Sequence, residues 1–243
     1  MGTGVLKTDL HLHTSEDPAD VIGHDAHALI ERAAELGFGA LAITLHDRQL
    51  TDARVFDHAR DCGITLVPGI ERAIAGRHVL LLNFPHAAAE SAATFADLAA
   101  LKAQRPEGAI VAPHPFFPDT TCLRSRLERH ADLFDAVEWS YFWTSGLNFN
   151  ARAAEWAAKR GKTIVGNSDL HDLRQLGRTY SLVAAEPDPA AICDAIRRGD
   201  VLLRTSPAPK MELASVVGGM FRRGRKPAPA RKPVRVIVDA SPS

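Results

Sequence analysis

The sequence predicts an α/β fold, a barrel in which short strands alternate with helices. Three observations predict it. Segments with the two-residue period of a strand alternate with helical segments along most of the chain, the pattern of βαβ units around a parallel sheet. Six places just past the end of a predicted strand carry metal-type side chains: His11 and His13, His46, Glu71, His114, Glu138, and the Asp169/His171 pair. Strand ends of a barrel meet at one face, so these distant residues are expected to converge on one cluster of ions. Finally, 243 residues with 46% hydrophobic and 24% charged positions suit one domain with a full apolar core.

Taken in order, Val5 to Leu12 is a strand, and Asp25 caps a helix through Leu36 that stops at Gly37. Ala40 to Leu45 is a buried strand, followed by a helix from Thr51 to Cys62 that ends at Gly63. Ile64 to Pro68 and His78 to Phe84 give two more strands, with Gly76 and Arg77 as a hairpin turn between them. The alanine-rich stretch from Ala88 to Ala103 reads as one helix and Ala109 to Ala112 as a strand. A helix over Leu123 to His130, a strand from Phe134 to Trp139, a helix from Asn148 to Arg160 and a strand from Thr163 to Gly166 follow. Tyr180 to Ala185, a helix capped at Asp188, and Val201 to Leu203 complete the pattern.

Residues 1–205 form the expected catalytic domain and residues 206–243 a basic, Pro-rich C-terminal extension. The zero formal charge divides unevenly: the extension has eight Lys/Arg against two Asp/Glu, a net of +6, leaving −6 on the rest. Its Gly224 to Pro233 core reads as an extended linker, with Val234 to Val238 apolar enough for a short strand. A basic tail can touch nucleic acid or an acidic membrane, but a solubilising extension is the preferred reading. No apolar run approaches the roughly 20 residues of a membrane helix. The start lacks the pattern of a signal peptide, and three widely spaced cysteines with no CxxC suit a reducing compartment, so a cytoplasmic protein is expected.

The candidate ligands each have an ordinary alternative. On a strand, His11 and His13 point the same way about 7 Å apart, a spacing that grips one ion. Asp9 shares that face, as a ligand or as the partner that orients a histidine. His46 also fits a helix cap. Glu71 follows Pro68 and Gly69 at the end of a buried strand, where an unpaired carboxylate is poor packing material. His114 stands between Pro113 and Pro115, which restrict the backbone on both sides. Asp169 and His171 repeat the same-face spacing of the first pair.

The strings DLHLHTSEDP, AITLHD, VPGIE, APHP and NSDLH, in this order, resemble the motifs of the PHP (polymerase and histidinol phosphatase) family of metal-dependent phosphoesterases, over residues 7–205. The resemblance implies a distorted (β/α)7 barrel with two or three divalent ions at the C-terminal strand ends. His11, His13, Glu71 and Asp169 would hold one ion, and Glu71 would bridge to a second that also contacts His114. Asp17, His46 and His171 would hold a third. Two departures stand out. Thr44-Leu45-His46-Asp47 replaces the TDHD of many relatives, and Glu138 takes a place where some relatives supply a histidine. Glu16 and Asp20 neighbour Asp17 closely enough to stand in for it.

Imidazoles mixed with carboxylates suit Zn, Mn or Fe ions rather than Mg or Ca. Ions sharing Glu71, roughly 3.5 to 4 Å apart, would activate a metal-bound water as the nucleophile, with no side chain assigned to that role. Arg48 and Arg178 are candidate substrate-binding residues, and His24 and His78 are the remaining histidines closest to qualifying as site residues. The expected substrate is a small phosphate ester or nucleotide, with nucleic acid either as substrate or as a partner of the basic tail. Two rivals are an amidohydrolase-type metal hydrolase, whose pattern fits GIE at 69–71 and DLH at 169–171 poorly, and a non-catalytic metal-binding module.

Overall fold

A computed structural model describes residues 4–224 and 226. The first third runs β1 (Val5–Leu12), α1 (Ala26–Glu35), β2 (Ala40–Ile43), α2 (Ala53–Asp61), β3 (Thr65–Leu66), β4 (Gly69–Ile74) and β5 (Arg77–Leu82). The middle adds α3 (His86–Ser91), α4 (Phe95–Gln104), β6 (Ala109–Ala112), α5 (Ser125–Arg129), β7 (Ala136–Ser140) and α6 (Asn150–Arg160). Next come β8 (Thr163–Asn167), β9 (Thr179–Ala184), α7 (Pro189–Arg198), β10 (Val201–Thr205) and α8 (Lys210–Arg223). No helix among the described residues is long and apolar enough to cross a membrane.

The architecture is mixed α/β, with two five-stranded sheets ordered β10-β9-β1-β2-β3 and β4-β5-β6-β7-β8. The all-parallel expectation is corrected: only β1-β2-β3 and β6-β7-β8 are parallel, while β9 pairs antiparallel with β1 and β10, and β5 with β4 and β6. Turn length explains one case. Ala75 and Gly76 alone connect β4 to β5, both at positive φ (47° and 72°), the geometry of a two-residue hairpin, and no parallel crossover fits so few residues. Isolated parallel bridges, Leu12 to Leu170 and His46 to Glu71, join the sheets along both seams.

Small and large side chains interleave between the sheets: Ala40, Ala42, Ala109 and Ala136 face Leu10, Leu80 and Leu82. Ile192, Cys193 and Ile196 of α7 join this interior. The Val5–Ala184 pairing puts the end of β9 beside the start of β1, so α7, which follows β9, plugs the end opposite His11. A second core lies between the outer face of β4–β7 and helices α3 to α6, and a third between β1, β2 and helices α1 and α2.

Local signals account for most helix boundaries. Asp25, Asp52 and Asp188 accept from Ala28 N, Arg54 N and Ala190 N at the starts of α1, α2 and α7. The single helix expected over 88–103 is two, because Thr94 and Asp97 form a capping box that restarts the helix as α4. Two other differences bear on the site. The strand expected over 64–68 shrinks to Thr65–Leu66, and a further strand begins at Gly69, placing Glu71 inside β4. The extension also contains α8, whose Val216 is fully buried. The linker core at 224–233, apart from Gly224 and Lys226, and the strand expected at 234–238 lie outside the described residues.

Candidate metal centre

β1 delivers His11 and His13 fully buried. One ring nitrogen of each is held by a carboxylate: His11 Nδ1 donates to Glu138 Oε1 at 2.8 Å and His13 Nδ1 to Asp17 Oδ2 at 2.9 Å. The opposite nitrogens, His11 Nε2 and His13 Nε2, are buried without a hydrogen-bond partner. Such orphaned atoms are costly unless a ligand takes their lone pairs. Both nitrogens stand 3.4 Å from Glu71 Oε2, and 3.4 and 3.5 Å respectively from Asp169 Oδ1. Four ligand atoms at roughly 2.1 Å from a central ion lie about 3.4 Å apart in a tetrahedron, and these four imidazole–carboxylate separations match that edge.

Glu71 is the centre of the arrangement, only 2% exposed. Its Oε2 also lies 3.1 Å from His46 Nε2, while its Oε1 lies 2.7 Å from His78 Nδ1 and 3.2 Å from His114 Nε2. Five imidazoles thus surround one carboxylate, and three ligand groups share it: His11 with Glu71 and His114, His46 with Glu71 and His78, and the quartet above. The imidazoles hold Glu71 ionised despite burial, far below the usual carboxylate range. Burial opposes charge on His11, yet Glu138, Asp169 and Glu71 outweigh it and raise its pKa to about 10. Burial likewise opposes charge on His13 and is overcome by Asp169, Asp17 and Glu71.

Backbone strain concentrates at two of these positions. His114 has φ of 29° and Asp169 of 49°, conformations costing about 1–3 kcal/mol in residues other than glycine. His114 is further fixed by its neighbours Pro113 and Pro115 and by Cys122 Sγ, 3.3 Å from its Nδ1. The turn bearing Asp169 is stitched to β1 by Asp9, which accepts from Ser168 N at 3.1 Å. Burial pushes Asp9 up to about 7, and its oxygens face backbone rather than the ligand cluster.

Other expected residues fall elsewhere in the arrangement. Glu138 lies within β7, and its carboxylate is committed: Oε1 accepts from His11 Nδ1 and Asn167 Nδ2, and Oε2 from His114 N. It thereby fixes His11 through its side chain and His114 through its backbone. Asp17 Oδ2 accepts from His13 Nδ1, His46 Nδ1 and His46 N, and Oδ1 accepts from Ala19 N and Asp20 N. Although His13, Asp17 and His46 are close enough to group around an ion, those hydrogen bonds already engage the same atoms, which gives Asp17 an orienting position too. His171 faces Asp20 Oδ2 at 3.2 Å and Asp169 Oδ1 at 3.6 Å, so Asp20 rather than Asp17 is its carboxylate neighbour.

Neither arginine reaches the cluster. Arg48 bonds Glu16 O, and Arg178 bonds Glu212 Oε2 of α8 at 3.1 Å. Residues 210–224 and Lys226 instead cover the site: Tyr141 Oη donates to Glu212 Oε1 at 2.8 Å, and Lys226 Nζ donates to Ser15 O and Asp17 O. Beneath α8 lies a cavity of about 750 Å³ reaching His46, Glu71, His78, His114, Asp169 and His171. A smaller hollow of about 370 Å³ beside Phe95 and His130 touches none of the clustered ligand atoms.

The model of the PHP-associated family matches residues 148–201, a stretch that includes the NSDLH motif and Asp169. That match covers a C-terminal segment of the catalytic-type fold, and the rest of the chain is compared through its structure. No curated protein matches the chain in sequence. Among solved structures, the chain is similar to a two-domain protein of Bacteroides vulgatus described as containing a predicted PHP-like metal-dependent phosphoesterase. That pair has a TM-score of 0.63 at 21% identity, covering 91% of this chain and 71% of the other. It is similar to a lesion-specific endonuclease of Pyrococcus furiosus, with a TM-score of 0.58 at 17% identity, covering 82% of this chain and 58% of the endonuclease. A third likeness is to an amidohydrolase of Chromobacterium violaceum, with a TM-score of 0.54 at 16% identity, covering 80% of this chain and 97% of the other. At these identities the likeness establishes the PHP-like fold.

Substituting Glu138→Gln tests the orienting position. One amide oxygen cannot serve the three donors that the carboxylate serves, and the amide nitrogen would meet at least one of them. Metal affinity is expected to fall about 10- to 100-fold with little change of fold, as measured by Mn²⁺ titration and circular dichroism. Unchanged affinity would remove Glu138 from the centre.

Proposed function

We propose that this chain is a metal-dependent hydrolase of phosphate esters, carrying two or three divalent transition ions, Zn, Mn or Fe, at the Glu71 cluster. The observation that carries the reading is the pair of buried, unpartnered Nε2 atoms of His11 and His13 facing Glu71 and Asp169 at tetrahedral-edge distances. His11, His13, Glu71 and Asp169 would hold one ion, and Glu71 with His78 and His114 a second. His46, His171 and Asp20 are the groups closest to a third position.

Bound ions of this kind supply an activated water at neutral pH and neutralise charge on phosphoryl oxygens. The residues of the chain do the rest. Glu138 and Asp17 hold His11, His13 and His46 through Nδ1, so that each ring presents Nε2 to the cluster. Glu71 offers one oxygen to each of two ligand groups and fixes their separation. His171 lies between Asp20 and Asp169, which hold its ring beside the cluster. The covering helix α8 narrows the entrance of water from that side.

We read the two sheets as halves of a distorted (β/α)7 barrel in which β1, β2, β4, β5, β6, β7 and β8 follow one another around the cluster. The bridges Leu12–Leu170 and His46–Glu71 support that closure. Residues 1–205 would form the catalytic domain, with α8 of the extension as its cover. The three unpaired cysteines favour the cytoplasm. A panel of phosphate mono- and diesters offered to the Mn²⁺-loaded protein tests the function, with His11→Ala as control. Turnover that disappears in the control is expected. Fewer than two transition ions per chain together with no turnover of any ester would sink the reading, as would full activity in the control.

A further inference from the structure

The cavity above the cluster has a polar floor and apolar walls. From His114 an aromatic series runs outward, with Phe117 at 6.3 Å and Phe149 another 5.4 Å beyond between ring centroids. Phe142 adds to that wall, and Leu213, Val217 and Met220 of α8 form the facing one. Among the described residues lining this space there is no lysine or arginine. Its charged groups outside the ligand cluster are carboxylates, Asp20 beside His171 and Asp119 at the rim. Asp119 is tied in place by Thr121 N at 2.7 Å and Thr121 Oγ1 at 2.6 Å.

These facts constrain what enters. Nucleic-acid sites and sites for polyphosphates neutralise each phosphate with Lys, Arg or a metal. Here any positive charge sits on the floor, enough for a single phosphoryl group, and a second phosphate would meet phenylalanines and Asp119. An alcohol portion that is neutral and aromatic or otherwise apolar instead buries its surface against both walls. Resting on the proposed phosphoesterase activity, we infer that the substrate is a monophosphate ester of an apolar, preferably aromatic, alcohol, with Phe117, Phe149 and the inner face of α8 determining specificity. Nucleic acid and bisphosphates are disfavoured, even though a lesion-specific endonuclease has a similar fold.

The test uses inert analogues, so that binding is read independently of turnover. Calorimetric titration of the full, Mn²⁺-loaded chain compares benzylphosphonate, methylphosphonate, adenosine 3′,5′-bisphosphate and a 5′-phosphorylated oligonucleotide. Benzylphosphonate is expected to bind at least about tenfold more tightly than methylphosphonate, in keeping with burial of a ring. The bisphosphate and the oligonucleotide should gain nothing over methylphosphonate. Phe149→Ala should shrink the benzyl advantage. Leu147→Lys, at a cavity position 56% exposed and therefore safe for folding, should tighten the bisphosphate severalfold. Equal affinity for the two phosphonates, or preference for the bisphosphate or the oligonucleotide, overturns the inference while leaving a metal-dependent phosphoesterase in place. No metal-dependent binding of either phosphonate overturns both.

Discussion

Glu71→Gln is expected to abolish phosphoester hydrolysis, by roughly three orders of magnitude or more, equivalent to about 4 kcal/mol of lost transition-state stabilisation. No other side chain in the centre has as many ligand-type neighbours: His11, His13 and His46 meet one of its oxygens and His78 and His114 the other. The amide keeps the shape and removes the charge. It can present one oxygen, so only one of the two sets of imidazoles keeps an acceptor, now neutral, and the other faces an NH₂ group that cannot ligate. Metal content should drop along with rate, and the two readouts together separate loss of the centre from loss of fold. Activity within tenfold of the parent, with the ions still bound, would show that Glu71 does not join the two groups.

The largest expected effect away from the ligands is at Gly166 in β8. A Cβ built there would meet the Leu203 side chain and, at 2.7 Å, the carbonyl oxygen of Tyr180 in β9. Leucine can turn aside, but a backbone carbonyl can yield only by moving its strand. Gly166→Ala is therefore expected to cost about 1–3 kcal/mol from overpacking. For a chain of this size that corresponds to a fall in Tm of roughly 4–8 °C for 2 kcal/mol. The displacement also travels along β8 to Ser168 and Asp169, so Mn²⁺ affinity should weaken as well. Gly146→Ala, where the added carbon meets nothing within 4 Å, is the matched control, and scanning calorimetry is the measurement. Equal melting of the two variants would show that β8 and β9 adapt freely.

Much of this was legible from residue order. Val5–Leu12 is a strand as its alternation predicts, and aspartates at 25 and 188 and glycines at 37 and 63 mark helix ends as their chemistry requires. The positions that gather at the cluster were visible as residue types at strand ends. Their division of labour was not. Whether Asp17 and Glu138 face an ion or a ring nitrogen depends on which donors already occupy their oxygens, and those donors come from 2 to 127 residues away. His78 was concealed by its place in a hairpin whose first strand, β4, begins at Gly69 directly after Pro68, a dipeptide that reads as a strand's end. Helix α8 was hidden for a similar reason. Leu213, Val216, Val217 and Met220 do have helical spacing, but Gly218 and Gly219 interrupt it, and prolines flank it on both sides.

The position of the cluster on the seams between the two sheets has a consequence for quality control. His11 and His13 belong to the sheet around β1, whereas Glu71, His78 and His114 belong to or follow strands of the other. Neither half of the molecule owns a complete set of ligands. A chain that has formed each sheet but docked them out of register would have every required residue and no centre. Formation of the proposed centre would therefore report on correct docking of the two sheets, and a misassembled molecule would lack the proposed hydrolytic activity while it waits to refold or be degraded.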